Sequence, residues 1–226
     1  IHLVNRMLNL ARHWGHITGY SQQQQNIKKL ATGDYTQRFL NTEEIDRLLK
    51  ACRANTNPYL YLFVQLLLLT GARKGEARCM RWRDVDTANR IWTVPRSKNG
   101  RSRRIVLSSA ALNTLDSTRT QALHLDLPTK PDNYVFTNPK TRTAYHSFYA
   151  AWFVARDRAD LSDVRIHDLR HTYASMLINS GVSLYEVQTL LGHSSMQMTQ
   201  RYAHLEPNLL HQRTEIVSKT ISSLSI

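Results

Sequence analysis

The stretch Arg90–Leu107, "RIWTVPRSKNGRSRRIVL", decides what kind of fold this chain can have. Ile91, Trp92 and Val94 are residue types that fill a half-buried pleated surface. Asn99-Gly100 tolerates the positive φ of a tight hairpin turn, and Ile105 to Leu107 supplies the returning strand. No other stretch of the 226 residues carries so clear a hairpin signal. Lys98 sits at its tip. Arg96, Arg101, Arg103 and Arg104 surround that tip, and such a density of cations suits contact with a phosphate backbone.

On both sides of the hairpin the spacing is helical. Leu3, Met7, Leu10 and Trp14 recur at steps of three and four within Leu3–Ile17. Thr18–Phe39 is polar and weakly periodic, with glutamines at Gln22 to Gln25, and reads as a linker. Asn41, with Glu44 three residues on, forms a capping pair ahead of the stripe Ile45, Leu48, Leu49 and Cys52. The apolar run Tyr59–Leu69, opened by Pro58, is too short for a bilayer and predicts a helix buried on all sides. A short helix is expected over Glu76–Trp82. Beyond the hairpin, helices are expected over Ser109–His124, Ser147–Asp160, His167–Asn179 and Leu184–Leu191. Ser183 and Glu186 form a second capping pair, and Pro128, Pro131, Gly181 and Gly192 act as breakers. The expected fold is therefore α+β, mainly α-helical with one small antiparallel sheet.

Charge narrows the function. Thirty Lys+Arg against 17 Asp+Glu give +13 and a pI near 10.1, which points to a polyanionic partner, nucleic acid above all. Cys52 and Cys79 are too few for a disulfide framework and read as reduced, buried thiols of a cytoplasmic protein with no secretory signal. Neither G-x-S-x-G nor G-x-x-x-x-G-K-[ST] occurs, so acyl transfer and nucleotide hydrolysis find no support. His167 and His171 have a spacing that zinc sites use, but no third ligand accompanies them, and no metal is expected.

Four short stretches place a cation or a histidine at an element boundary: "TGARKGE" (Thr70–Glu76), the hairpin tip, "HDLRHTYAS" (His167–Ser175), and "LLGHSS" with Tyr202 downstream. Together they offer arginines, an ammonium, imidazoles and a phenol. A phosphodiester under attack needs such a set. Fixed donors must meet its non-bridging oxygens, a base must take one proton, and an acid must give another. Glu76 reads as support for the Arg73 helix and His171 as a packing or supporting residue. Ser194 and Ser195 read as helix caps for the segment that carries Tyr202.

With these motifs in order, the chain resembles the catalytic domain of the tyrosine recombinases of the phage integrase family over about Phe39 to Leu205. The resemblance implies that Arg73 is the first catalytic arginine and Lys98 the hairpin lysine. It implies that His167 and Arg170 form the His-x-x-Arg pair, that His193 is the second histidine and that Tyr202 is the nucleophile. It further implies a 3′-phosphotyrosyl intermediate, no ATP and no cofactor. The partners it implies are double-stranded DNA, further protomers forming a tetramer on that DNA, and accessory proteins. The outcome would be integration, excision or inversion of a mobile element. The same reading divides the chain into an end of a core-binding domain (1–20), a linker (21–38), a catalytic domain (39–205) and a helical tail (206–226). In that tail Leu209, Leu210, Ile216, Val217, Ile221 and Leu224 form an apolar stripe that needs a cover, on this domain or on a neighbouring protomer. Two rival readings are a type IB topoisomerase-like relaxer of DNA and a DNA-binding regulator without catalysis.

Overall fold

The stripe of Leu3, Met7 and Leu10 forms helix α1 (His2–His13), which belongs to its own unit, Ile1–Gln37. Within that unit Leu3, Met7 and Trp14 are exposed. The second unit is Arg38–Ile226. The computed structural model describes residues 2–17, 38–95, 102–193 and 195–203, together with Glu215, Ser218, Lys219, Ile221 and Ser222. Residues 18–37 of the expected linker, the Asn99-Gly100 turn and most of the tail stripe lie outside the described residues.

In the second unit the capping pair at Asn41 forms as its residue types dictate. The Asn41 side chain accepts from the Glu44 N–H at 2.8 Å, and the Glu44 carboxylate accepts from the Asn41 N–H at 2.9 Å, opening α2 (Thr42–Arg53). The apolar run becomes α3 (Leu60–Thr70), with no residue fully exposed along it. It packs against α2, against α5 (Ser109–His124) and against α7 (Asp168–Asn179). Phe63 on α3 stacks on Phe148 with ring centroids 4.1 Å apart and meets Phe136 edge-on at 5.2 Å. Each fully buried Leu or Phe of this layer stabilises the fold by about 1.5–3 kcal/mol, so α3 is its central support.

Between α3 and α5 the chain departs from expectation. In place of one helix over Glu76–Trp82 there is a short α4 (Lys74–Arg78) and then a 3₁₀ turn over Trp82–Asp84. Helix is interrupted because this backbone pairs elsewhere: Arg81 bridges to Tyr134, and the Met80 carbonyl accepts from the Val135 N–H at 2.9 Å. Cys52 is buried as expected, whereas Cys79, at the frayed end of α4, is exposed. The sheet has three antiparallel strands, β1 (Val85–Asp86), β2 (Ile91–Val94) and β3 (Arg103–Val106), one more than the hairpin alone predicts. β2 and β3 pair with Trp92 opposite Ile105 and Val94 opposite Arg103. Trp92, Val94 and Ile105 are buried, so by the period of two Arg103 shares the inward face and Arg104 points out.

The remaining helices are α6 (Tyr149–Arg158), α8 (Leu184–Leu191) and a one-turn α9 (Gln197–Gln200). Ser183 caps α8 with Glu186, as its spacing predicts. The mainly helical architecture with a small antiparallel sheet is thus the observed fold. No helix among the described residues is long and apolar enough to cross a membrane.

Candidate active site

Gly71 ends α3 in the left-handed region at φ 59°, and a Cβ there would lie 2.4 Å from Tyr173 Cδ1. Only glycine suits both constraints. The chain turns at once and presents Arg73 just ahead of α4. The Arg73 N–H donates to one oxygen of Glu76 at 2.9 Å, and its Nη1 donates to the other at 2.8 Å. From β3, Arg103 Nη2 donates to the same carboxylate at 2.7 Å and Nε at 3.3 Å. Burial pushes the Glu76 carboxyl up, but Arg103 and then Arg73 outweigh it and leave the group below its ordinary range. The Glu76 side chain is only 6% exposed, so it is an anion bound by two guanidiniums away from bulk water. Removing one partner of a pair so buried costs about 3–5 kcal/mol.

Arg170, on α7, is 4% exposed and is held by backbone. Its Nη1 donates to the Gly71 carbonyl at 2.6 Å and its Nη2 to the Leu191 carbonyl at 2.8 Å. Arg103 Nη1 donates to that same Leu191 carbonyl at 2.9 Å. Among the described residues no carboxylate forms an ion pair with Arg170. Burial first, then the like charges of Arg73 and Arg103, push its pKa down to about 9, which leaves it a cation at neutral pH. Two guanidiniums thus share one carboxylate and a third rests on backbone carbonyls, a local excess of positive charge suited to an anion such as a phosphodiester.

The histidines and the tyrosine follow from the end of α8. Gly192 takes φ 62° and lets the chain turn to His193, whose Nδ1 lies 2.8 Å from Thr199 Oγ1. Burial, then Arg170 and Arg73, lower the His193 pKa to about 3. Tyr202, just past α9, is 2% exposed and packs with Ala174, Ile178, Val187 and Leu191. Its hydroxyl lies 2.6 Å from His171 Nδ1. Burial raises the phenol to about 12, against the lowering effect of Arg201 and Arg170. Burial and then the neighbouring His167 lower His171 to about 4. At neutral pH the phenol therefore keeps its proton beside a neutral imidazole, and the His171 tautomer sets which of the two donates. His167 stands edge-on to His171 at 5.2 Å between ring centroids, and burial followed by Arg170 lowers its pKa too.

Five of the six residues expected in catalysis can be placed: Arg73, His167, Arg170, His193 and Tyr202. Arg73 and Arg170 are linked through Glu76, Arg103 and the Leu191 carbonyl, His167 and Tyr202 both contact His171, and His193 bonds to Thr199. Lys98, with Arg96 and Arg101, lies outside the described residues. Arg104 is exposed on the outer face of β3. Arg103 is a correction: expected on the phosphate backbone, it turns inward with 10% of its side chain exposed, because β-strand alternation puts it on the face of Ile105. His171 takes a supporting place, as its expected role has it, and its partner is the Tyr202 hydroxyl. Ser195 does not cap α9, whose first residue follows Met196 without a side-chain cap, and Ser194 lies outside the described residues. Sequence reasoning missed Thr199 and the two carbonyls that grip Arg170. The glycines that follow or contain those carbonyls were the available signal.

Arg73 and His167 open onto a cleft of about 630 Å³, lined also by Lys74, Glu76, Trp92 and Val94. Among the described residues no cluster of His, Cys, Asp and Glu could hold a metal ion. The arrangement can bind an anion in the cleft through arginine forks and supply neutral imidazoles for proton transfer.

The sequence profile of the phage integrase family matches residues 38–208. The integrase of Salmonella phage P22 is 32% identical over 180 residues, covering 76% of this chain and 45% of that protein. The shufflon-specific DNA recombinase of Escherichia coli is 31% identical over 205 residues, covering 90% of this chain and 49% of that protein. The chain therefore spans about half the length of these two relatives. Among solved structures, the catalytic domain of bacteriophage HP1 integrase superposes with a TM-score of 0.60 at 28% identity, covering 78% of this chain and 93% of that domain.

Proposed function

This chain belongs to the phage integrase family, and from that premise we propose that it breaks and rejoins DNA strands with Tyr202 as the nucleophile. The observation that carries this reading is the set of Arg73 and Arg103 on the Glu76 carboxylate, joined through the Leu191 carbonyl to Arg170, together with a buried phenol bonded to a buried imidazole. The bond from Tyr202 Oη to phosphorus forms as the bond from phosphorus to the 5′ oxygen breaks. Arg73 and Arg170 meet the non-bridging oxygens, where arginine's planar fork fits two acceptors at once. His167 takes the phenol proton and Lys98 gives one to the leaving oxygen, so the products are a 3′-phosphotyrosyl link and a free 5′-hydroxyl. Attack by a 5′-hydroxyl of a partner strand reverses these steps. The phosphodiester energy is kept in the link, so neither ATP nor a metal ion takes part.

Tyr202 is packed inside the fold. It is 2% exposed and bonded to His171, so it reaches a phosphate only after its segment moves. Residues 39–205 act as the catalytic domain on double-stranded DNA, the net charge of +13 supplying much of the affinity. Protomers assemble on the site as a tetramer, accessory proteins select the outcome, and the 206–226 tail docks on a neighbouring protomer.

The test is covalent capture. A pool of nicked duplexes with randomised sequence around the nick loses a short fragment on cleavage, which traps the enzyme on DNA. A detergent-resistant protein–DNA adduct is expected, without ATP and in the presence of EDTA. Binding of the same duplexes should weaken steeply with salt, as several Lys/Arg–phosphate contacts require. Absence of any adduct, with duplex binding intact, would turn the reading to a DNA-binding regulator. Relaxation of plasmids that lack any captured site would turn it to a topoisomerase-like enzyme.

A further inference from the structure

Hydrogen bonds close a ring through the site. Gly71 leads by backbone to Arg73, Arg73 binds Glu76, Glu76 binds Arg103, Arg103 binds the Leu191 carbonyl, and Arg170 joins that carbonyl back to Gly71. Within this ring Arg103 alone, among the described residues, donates both to Glu76 and to Leu191. The fit is close: a Cβ on Gly192 would lie 2.8 Å from Arg103 Cδ and 3.0 Å from its Nη1. The carbonyl it holds immediately precedes Gly192 and His193.

We propose that Arg103 is a positioning residue for strand cleavage, locking the Arg73 helix to the end of α8 so that Arg73, Arg170 and His193 share one geometry. This rests on the function proposed above. In this role Arg103 acts through the protein: its side chain is 10% exposed, and each of its three nitrogens donates to a protein acceptor at 2.7–3.3 Å. Its neighbour Arg104, exposed on the opposite face, is the natural phosphate contact of the strand. The two adjacent arginines should therefore fail in different ways when replaced.

The experiment compares Arg103→Gly, Arg103→Lys and Arg104→Gln with the parent chain on the nicked duplex pool, after urea unfolding has shown which variants are folded. For Arg103→Gly, adduct formation at saturating DNA should slow by about 10- to 100-fold, the scale of a small misplacement of reacting groups. Duplex affinity should stay within about threefold and the salt slope should not change. Ethylguanidinium, which can refill the vacated site, should restore several-fold of the rate, and ethylammonium should not. Arg103→Lys keeps a buried cation but reaches one acceptor, so it should show the same slowing and serves if the glycine variant does not fold. Arg104→Gln should do the reverse, with a near-parental rate and a salt slope smaller by about 0.9. An Arg103 variant with a parental rate overturns the proposal, as does one whose main change is a smaller salt slope. A folded glycine variant insensitive to ethylguanidinium overturns it too, since that leaves only packing. If the parent itself forms no adduct, the functional reading has failed and takes this proposal with it.

Discussion

Replacing Tyr202 by Phe is expected to abolish covalent capture of DNA while leaving duplex affinity within a few-fold. The substitution removes one hydroxyl and no charge, so the electrostatic attraction of a +13 chain is untouched. The ring stays in its pocket against Ile178, Val187 and Leu191, so packing is preserved. The lost hydroxyl leaves His171 Nδ1 without its 2.6 Å partner in a buried place, at a cost of about 1–3 kcal/mol in stability. Urea unfolding and adduct gels on the same sample separate that modest stability loss from the complete loss of chemistry. An adduct that persists in the Phe variant would assign the nucleophile elsewhere.

The second large effect is expected at Arg170. Arg170→Lys should slow cleavage by about 10²-fold or more, the usual result of removing one preorganised transition-state donor. The structure gives the reason. The guanidinium uses one nitrogen for the Gly71 carbonyl and another for Leu191, and this fixes its plane. An ammonium is a point charge that cannot hold both carbonyls and still present parallel donors to a phosphate. Single-turnover adduct formation measures the effect. A rate within about threefold of the parent would place Arg170 outside the chemistry.

Much of this architecture can be read from the chain because its signals are local. Asn41 with Glu44 and Ser183 with Glu186 cap helices through bonds three residues apart, which depend on nothing distant. Gly71 and Gly192 stop their helices because only they take the left-handed conformation cheaply. The features that were not legible depend on distant partners. β1 is two residues long, too short for any period, and exists because Val85 finds Trp92. Cys79 sits in an apolar context yet ends exposed, because α4 stops one residue earlier.

Arg103 is the instructive case. Its position two residues before Ile105 and four before Leu107, both core residues, marked it as inward-facing. Its charge and its arginine neighbours suggested a phosphate instead. The alternation was the better guide, because a strand's faces are set by packing, and the inward guanidinium finds a carboxylate and a carbonyl to bind there. His171 has the supporting place expected of it, but its partner was not legible. Nothing local distinguishes it from His167, four residues earlier, and only the return of the chain past α9 shows which imidazole meets the phenol.

The central claim is that Tyr202 becomes covalently joined to a DNA 3′ end. The direct measurement is mass spectrometry of the protease-digested adduct captured on the nicked duplex pool. The account predicts a single nucleotide-modified peptide carrying the mass on Tyr202, with a free 5′-hydroxyl on the released strand. A modified serine, histidine or other tyrosine, or a 5′-linked nucleotide, would contradict it.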